Sequence, residues 1–475
     1  MSRRIGQSHA MLLLAVSACC GVAVAVELPK VIETQNDKAV TTAKPVEPAA
    51  EPSTVDRIKQ PVSWFKWGAD FRWRQEFLNN ARTLDNTTDN ESDYQRYRAR
   101  AWFSLLPGEN FAFNNRWTWE GRYYWQPDSK EGFQQDYIIA DQLNVQIKNI
   151  GGDAKNIVTL GRQDIALHDG WLIMDGTPLD GSKTLFLDGV RGQFNFPDAK
   201  GSLDAAVFAQ RAYADTWSPM VMAKNNATLT EQDEFGAYVD YGCKPDKVSS
   251  YDAYFIYKNN DKKLANGDQG EIYALGARAE HGFTNNVTGR VEGAYEFGRN
   301  NNSYTPSNGD LQAWGANSRL TYAFKDQSDN KLHMVGEFLS GDKPGTQTNE
   351  QFDVLWGRWP RFSELYAITQ SSETRAGDYS NLYRLGPTWE VNPTQKLSFS
   401  TSYFALFADQ RTYPNSVNFG DGYFRGQLFQ AIMRYKFNRF LTGHLWGEYF
   451  IPGNYYSDAR QDNAVFLRAE LAFAF

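Results

Sequence analysis

The last residues of the chain, 463–475, constrain its fold more than any other stretch. From Ala464 onward, apolar side chains alternate with a second set that includes Arg468 and Glu470. This period of two predicts a β-strand with one apolar and one polar face. An edge strand this apolar would promote aggregation in a water-soluble protein. As the closing strand of an outer-membrane barrel, it would instead place its apolar face against lipid and Phe475 in an aromatic girdle.

The same alternation recurs through most of the chain. In residues 65–74, aromatic residues and Ala69 occupy one parity, and Asp70, Arg72 and Arg74 occupy the other. We count about 18 such stretches, each with the length of a tilted membrane-crossing strand. Aromatic residues make up 15% of the chain although the mean hydropathy is only −0.57. A barrel with a polar lumen and aromatic girdles has this combination.

The connections between these stretches alternate between short and long. Short turns are predicted near 107–110, 197–201, 244–248, 282–285, 325–330, 392–394 and 438, and long polar loops near 79–93, 164–183, 213–232, 259–269, 299–310, 341–379, 408–424 and 451–462. Outer-membrane barrels sort their connections in this way, with short periplasmic turns and long extracellular loops. The sequence therefore predicts an all-β fold, a transmembrane antiparallel barrel of about 18 strands, with a lumen wide enough for an aqueous channel.

The N-terminal region divides into two predicted segments before the barrel. Residues 1–25 have a basic start, an apolar middle and an Ala-Val-Ala cleavage site, which predicts a signal peptide. A lipoprotein site at Cys19 is the alternative. Residues 26–61 contain few large apolar side chains and predict a disordered periplasmic tether. The barrel is assigned to 62–475, where Cys243 is the one cysteine left after cleavage, so no intramolecular disulfide is expected.

Arginine is concentrated on the lumen-facing parity of the first three strands. Seven arginines share this parity, and we call them the arginine wall: Arg72, Arg74, Arg96, Arg98, Arg100, Arg116 and Arg122. The acids of the same parity are Asp70, Glu76 and Glu120. Such a surface would attract anionic solutes, and guanidinium groups bind carboxylates in a bidentate manner. Ion pairs that only hydrate and stiffen the lumen are the structural alternative.

Two stretches resemble a known family. The motifs Leu-Gly-Arg-Gln-Asp at 160–164, Asp-Gly at 169–170 and Leu-Asp-Gly-Val-Arg at 187–191 resemble the outer-membrane alginate-export porins, and the segment 356–366 is similar to the long loop of that family. The resemblance covers residues 62–475. It implies an 18-stranded monomeric barrel that passes an anionic polysaccharide through an arginine-rich constriction gated by loops. Carried over to this chain, it adds Arg162 and Arg191 to the candidate pathway.

Enzymatic chemistry has little support in the sequence. The five histidines are scattered without metal-ligand spacing, so no metal site and no cofactor are predicted. His168 and Asp169 could form an acid–base pair, but adjacent loop residues are usually solvated. Glu364 and Glu373 are expected to be solvated for the same reason. Oxygen-bearing loop residues could bind Ca²⁺, although their spacing is not diagnostic.

The sequence therefore predicts a porin in the bacterial outer membrane without catalytic residues. Its expected partners are outer-membrane lipid and an anionic carbohydrate or other carboxylated solute, and a periplasmic secretion partner is compatible with the tether. The net charge of −7 argues against nucleic-acid binding. The alternatives are a barrel enzyme of the lipase or protease type and a surface adhesin or receptor that uses the loop 341–379.

Overall fold

The computed structural model describes residues 53–475 except 89, 176–185, 215–220, 223–227, 302–308, 358–361, 372, 374–378 and 412–415. The predicted signal peptide and most of the predicted tether lie outside the described residues. The last part of the tether departs from the prediction of disorder. A short helix, α1 (Thr54–Lys59), forms there because Ser53 and Asp56 make a reciprocal capping box.

Eighteen antiparallel strands form one closed barrel in the described residues. They are β1 (Phe65–Asn79), β2 (Ser92–Leu105), β3 (Phe111–Gln126), β4 (Gly132–Ile147), β5 (Ile157–Gln163), β6 (Leu187–Phe196), β7 (Gly201–Gln210), β8 (Gln232–Cys243), β9 (Ser249–Lys262), β10 (Gln269–Gly282), β11 (Val287–Asn301), β12 (Asp310–Ala323), β13 (Lys331–Leu339), β14 (Leu382–Thr394), β15 (Leu397–Phe407), β16 (Phe424–Lys436), β17 (Leu441–Pro452) and β18 (Ala464–Ala474). Each strand pairs with its neighbours in sequence, and β1 pairs with β18. The predicted fold class is confirmed.

Strands β1 and β18 pair along the seam that closes the barrel. Arg74 lies opposite Glu470 and Glu76 lies opposite Arg468. The other parity of β18 faces outward, where Leu467 and Phe473 are exposed. Phe475 Nα donates a hydrogen bond to Ala69 O (2.8 Å), which anchors the end of the chain to β1. The alternating sequence that predicted the closing strand therefore also sets its register.

The outer surface carries two rings of exposed aromatic side chains. At the end with the short turns, which we call the turn end, they include Trp64, Phe111, Phe196, Phe283, Phe324 and Phe437. At the opposite loop end they include Trp125, Phe133, Phe235, Trp314, Tyr383 and Phe407. Such girdles mark the two interfaces of a bilayer. No helix in the described part of the chain is long and apolar enough to cross a membrane.

The loop end differs from the predicted picture in two ways. The connections 127–131 and 263–268 are as short as turns. Parts of two long loops also fold into the barrel, where their side chains contact lumen-facing residues. These inward segments are 164–174, 349–357 and the helix α2 (Glu364–Gln370). The lumen is therefore narrower than the strand count alone suggests, because the loops fill part of it with an apolar core.

Candidate functional site

The arginine wall contains directly opposed like charges. Arg98 lies opposite Arg72, and Arg96 lies opposite Arg74 in the β1–β2 register. Facing like charges on neighbouring strands repel each other unless anions lie between them. In the half of the wall toward the loop end, Glu76 is that anion. Its carboxylate is 3.2 Å from Arg96 Nη1, 2.7 Å from Arg468 Nη2 and 3.8 Å from Arg74 Nη1.

The half of the wall toward the turn end borders other acids. Asp70 is 2.7 Å from Arg100 Nη2 and 3.8 Å from Arg98 Nη2. Glu470 accepts a 2.6 Å hydrogen bond from Arg74 Nε and is 4.0 Å from Arg72 Nε. Of the wall arginines that form ion pairs, Arg100 has the most exposed side chain, at 17%. Glu120 lies opposite Arg98 in the β2–β3 register, so both Asp70 and Glu120 adjoin this half of the wall.

The charge balance of the whole wall is less positive than the sequence predicted. Asp141 of β4 and Asp164 of an inward loop each lie 2.8 Å from Arg116, and strand parity on β1–β3 could not reveal them. Glu470 of β18 lies 2.6 Å from Arg74, and Glu120 lies opposite Arg98 in the β2–β3 register.

The remaining predicted pathway residues have acidic or hydroxyl partners. Arg116 contacts Asp141 and Asp164, both at 2.8 Å; Arg162 forms a bidentate pair with Asp188 at 2.8 and 2.9 Å; Arg191 contacts Asp204 at 2.9 and 2.5 Å; and Arg122 donates to Tyr124 Oη at 3.2 Å. These short carboxylate bonds brace adjacent strands. Ion pairs of this kind are those that the structural alternative expects, and a place for Arg116, Arg162 and Arg191 in the solute pathway stays a prediction.

Arg162 follows a glycine with a positive φ angle. Gly161 has φ = +114°, a region that other residues rarely adopt, and a Cβ there would lie 2.4 Å from Leu143 O. Leu160 is exposed on the outer face, whereas Arg162, two residues later, is only 6% exposed. The pairing of β5 stays in register through Gly161, with Leu160 opposite Val190 and Arg162 opposite Asp188. The burial of Arg162 comes from its pair with Asp188, its bond to Ala140 O and the ring of Phe186.

The inward segment 349–357 is fixed to the wall by Trp356. This side chain is fully buried, and its Nε1 donates a 2.8 Å hydrogen bond to Glu234 Oε2 on β8. Its ring makes an edge contact with Phe208, with 4.8 Å between the centroids. Asp353 Nα donates to Glu296 Oε2 at 2.8 Å, and Lys258 Nζ donates to Leu355 O at 3.0 Å. The segment is thus part of a buried core inside the barrel.

Three acidic residues hold helix α2 and the residues after it in place. Glu364 and Glu373 were predicted to be solvated, and Glu448 was not identified from the sequence. Glu448 of β17 accepts hydrogen bonds from Ser363 Oγ, Glu364 Nα and Leu365 Nα at the start of the helix. Glu364 is 3.1 Å from Arg468, and Glu373 is 2.6 Å from the buried Arg425. The prediction that Glu364 and Glu373 are solvated is wrong, because their loop folds into the lumen.

His168 is the centre of a second buried group. Its side chain is 9% exposed and lies among Asp240 of β8, Asp252 of β9 and Glu292 of β11. The prediction that His168 is solvated is therefore wrong for the same reason. Burial opposes charge on the imidazole, but the surrounding carboxylates outweigh it and raise the pKa of His168 to about 10. Asp169, at 41% side-chain exposure, pairs with Arg290 instead.

Comparison with known proteins gives the family and the fold. The family model described as alginate export matches residues 63–469. Pseudomonas aeruginosa OpdK with vanillate has 10% identity and a TM-score of 0.53 over 86% of this chain and 98% of that chain. Pseudomonas aeruginosa OccK2 (OpdF) in complex with glucuronate has 10% identity and a TM-score of 0.51 over the same shares. Identities this low establish the fold alone. No curated protein matches the chain.

Proposed function

This chain belongs to the alginate export family, and we propose that it lets an anionic, carboxylate-bearing solute cross the outer membrane along the arginine wall. The family and the porin-like barrel make the protein an outer-membrane channel. More specifically, we propose that the solute is a polyuronate of the alginate type or a smaller uronate. Two barrels of the same fold are solved with glucuronate and with vanillate, which both carry a carboxylate.

One observation carries the proposal: Arg98 and Arg100 share the carboxylate of Asp70, and Arg72 lies directly opposite Arg98 on the neighbouring strand. Arg100 has the most exposed side chain of the three, at 17%, so a passing carboxylate can approach its guanidinium group. The arginines carry positive charge and the solute carries negative charge. The wall would therefore guide the solute by electrostatic attraction rather than by tight binding.

Ion selectivity tests the proposal. In planar bilayers under a KCl gradient, we expect a reversal potential that indicates preference for chloride. Replacing Arg98→Gln and Arg100→Gln together should abolish this preference, because Asp70 then becomes the dominant charge of the group. Asp70→Asn should shift the reversal potential in the opposite direction, toward stronger anion preference.

The control for this experiment is Arg299→Gln. Arg299 is 73% exposed at the loop end and pairs only weakly with Asp310 at 3.2 Å, so its loss should leave the reversal potential unchanged. Addition of an oligouronate to the bath should reduce the current through the parent protein more than through the double variant. Cation preference in the parent protein would contradict the proposal.

A further inference from the structure

The group around His168 has the spacing of a metal site. His168 Nε2 is 3.2 Å from Asp240 Oδ1 and 3.8 Å from Asp252 Oδ1, and Nδ1 is 3.6 Å from Glu292 Oε1. The ligand atoms of His168, Asp240 and Asp252 all lie within 4.8 Å of one another. Ligands of a tetrahedral zinc ion lie about 3.3 Å apart, given bond lengths near 2.0 Å. Small side-chain rotations would bring these atoms to that spacing.

Several polar atoms in this group are buried without a hydrogen bond. Among the described residues, neither ring nitrogen of His168 has a hydrogen-bond partner, and the same holds for Asp240 Oδ1 and Glu292 Oε2. The side chains of His168 and Asp240 are each 91% buried, and that of Glu292 is 97% buried. Buried polar atoms in a folded protein nearly always have partners. Asp240 and Asp252 lie on the Nε2 side of the ring and Glu292 lies on the Nδ1 side, so one positively charged ligand can be shared by Nε2, Asp240 and Asp252.

Neighbouring side chains hold the carboxylates in place. Arg278 Nη1 is 3.3 Å from Asp252 Oδ2, which leaves Oδ1 directed at His168. Tyr254 Oη donates a 3.0 Å hydrogen bond to Glu292 Oε1, which leaves Oε2 without a donor. Outer contacts of this kind orient the ligands of metal sites. Next to this group, Arg290 forms an ion pair with Asp169 and offsets the negative charge of that aspartate.

We propose that His168, Asp240 and Asp252, with Glu292 beside them, bind one divalent transition-metal ion inside the barrel. One imidazole combined with carboxylates suits Zn²⁺ or Mn²⁺, whereas Ca²⁺ and Mg²⁺ prefer sites made of oxygen alone. Because His168 belongs to the inward segment 164–174 and the acids belong to β8, β9 and β11, the ion would fasten this loop to the wall. The site does not depend on which solute the channel carries.

Metal titration of the full-length protein tests the site. The protein is purified without a histidine tag, treated with EDTA in detergent and titrated with ZnCl₂ in a calorimeter. We expect saturation at one Zn²⁺ per chain. His168→Gln and Asp240→Asn should each weaken this binding by roughly tenfold or more, since each removes a ligand. His281→Gln is the matched control, because His281 lies at the turn end beside Ser249 and should leave binding unchanged.

Two further measurements complete the test. X-ray absorption of the zinc-loaded protein should show one imidazole and two or three oxygen ligands near 2.0 Å. The mobility of unheated samples on SDS gels shows whether each variant retains a folded barrel. The proposal is overturned if the parent protein has no saturable zinc site, in which case a proton on His168 alone links the acids. It is also overturned if folded His168→Gln and Asp240→Asn bind zinc as the parent does.

Discussion

Removing the long loop between β13 and β14 should raise the single-channel conductance several-fold. We expect this for a variant in which residues 342–379 are replaced by a Gly-Ser linker. The loop contributes the inward segment 349–357 and α2, which pack against lumen-facing side chains of β8, β11 and β17. Without them, the aqueous cross-section of an 18-stranded barrel becomes available to ions.

The deletion is feasible because the two ends of the loop lie together. Asn381 Nα donates to Ser340 O at 3.3 Å, and Leu339 lies opposite Leu382 in the barrel register. A short linker can therefore close the hairpin without disturbing either strand. Deleting Ala265 and Asn266, which are exposed in the short 263–268 connection, is the control and should leave the conductance near that of the parent. An unchanged conductance in the loop-deletion variant would mean that this loop does not obstruct the ion path.

Trp356→Ala should release the same loop without deleting it. The substitution removes a fully buried indole together with its hydrogen bond to Glu234 and its ring contact with Phe208. Large-to-small changes of a buried tryptophan cost roughly 3–5 kcal/mol. The barrel strands keep the hydrogen bonds between them. The lost free energy therefore mainly weakens the docking of segment 349–357 against the wall.

Limited proteolysis measures that release. Trypsin should cleave the Trp356→Ala variant within residues 343–378 much faster than the parent, while the barrel remains intact on unheated gels. Trp356→Phe should lie between the two, since it keeps an aromatic ring but loses the bond to Glu234. Trp64→Ala, at an exposed girdle position, should be cleaved like the parent. Equal cleavage rates in all four proteins would show that Trp356 does not hold the loop in the lumen.

The barrel could be predicted because its signals are local. Alternation with a period of two needs only neighbouring residues, and lipid on one side makes that alternation strict. The closing strand near 463–475 was predicted in this way, and it pairs with β1 in the structure.

The candidate site was only half predictable. Strand parity identified the arginine wall, but it overestimated the positive charge, because Asp141 of β4 and Asp164 of an inward loop also reach the wall. Strand parity also gave no means of recognising that Arg98 and Arg100 share Asp70, because that contact depends on side-chain distances of 3.8 and 2.7 Å.

By itself, the sequence determined that this chain forms a closed antiparallel barrel with an apolar exterior, because each strand carries that information within its own residues. Only the tertiary structure decided which way the long loops fold. Polar loop residues such as His168 and Glu373 can be solvated above a membrane or paired inside a lumen, and their composition is the same in both cases. The choice depends on partners far away in the chain, Asp240 for His168 and Arg425 for Glu373, which meet them only after the barrel closes.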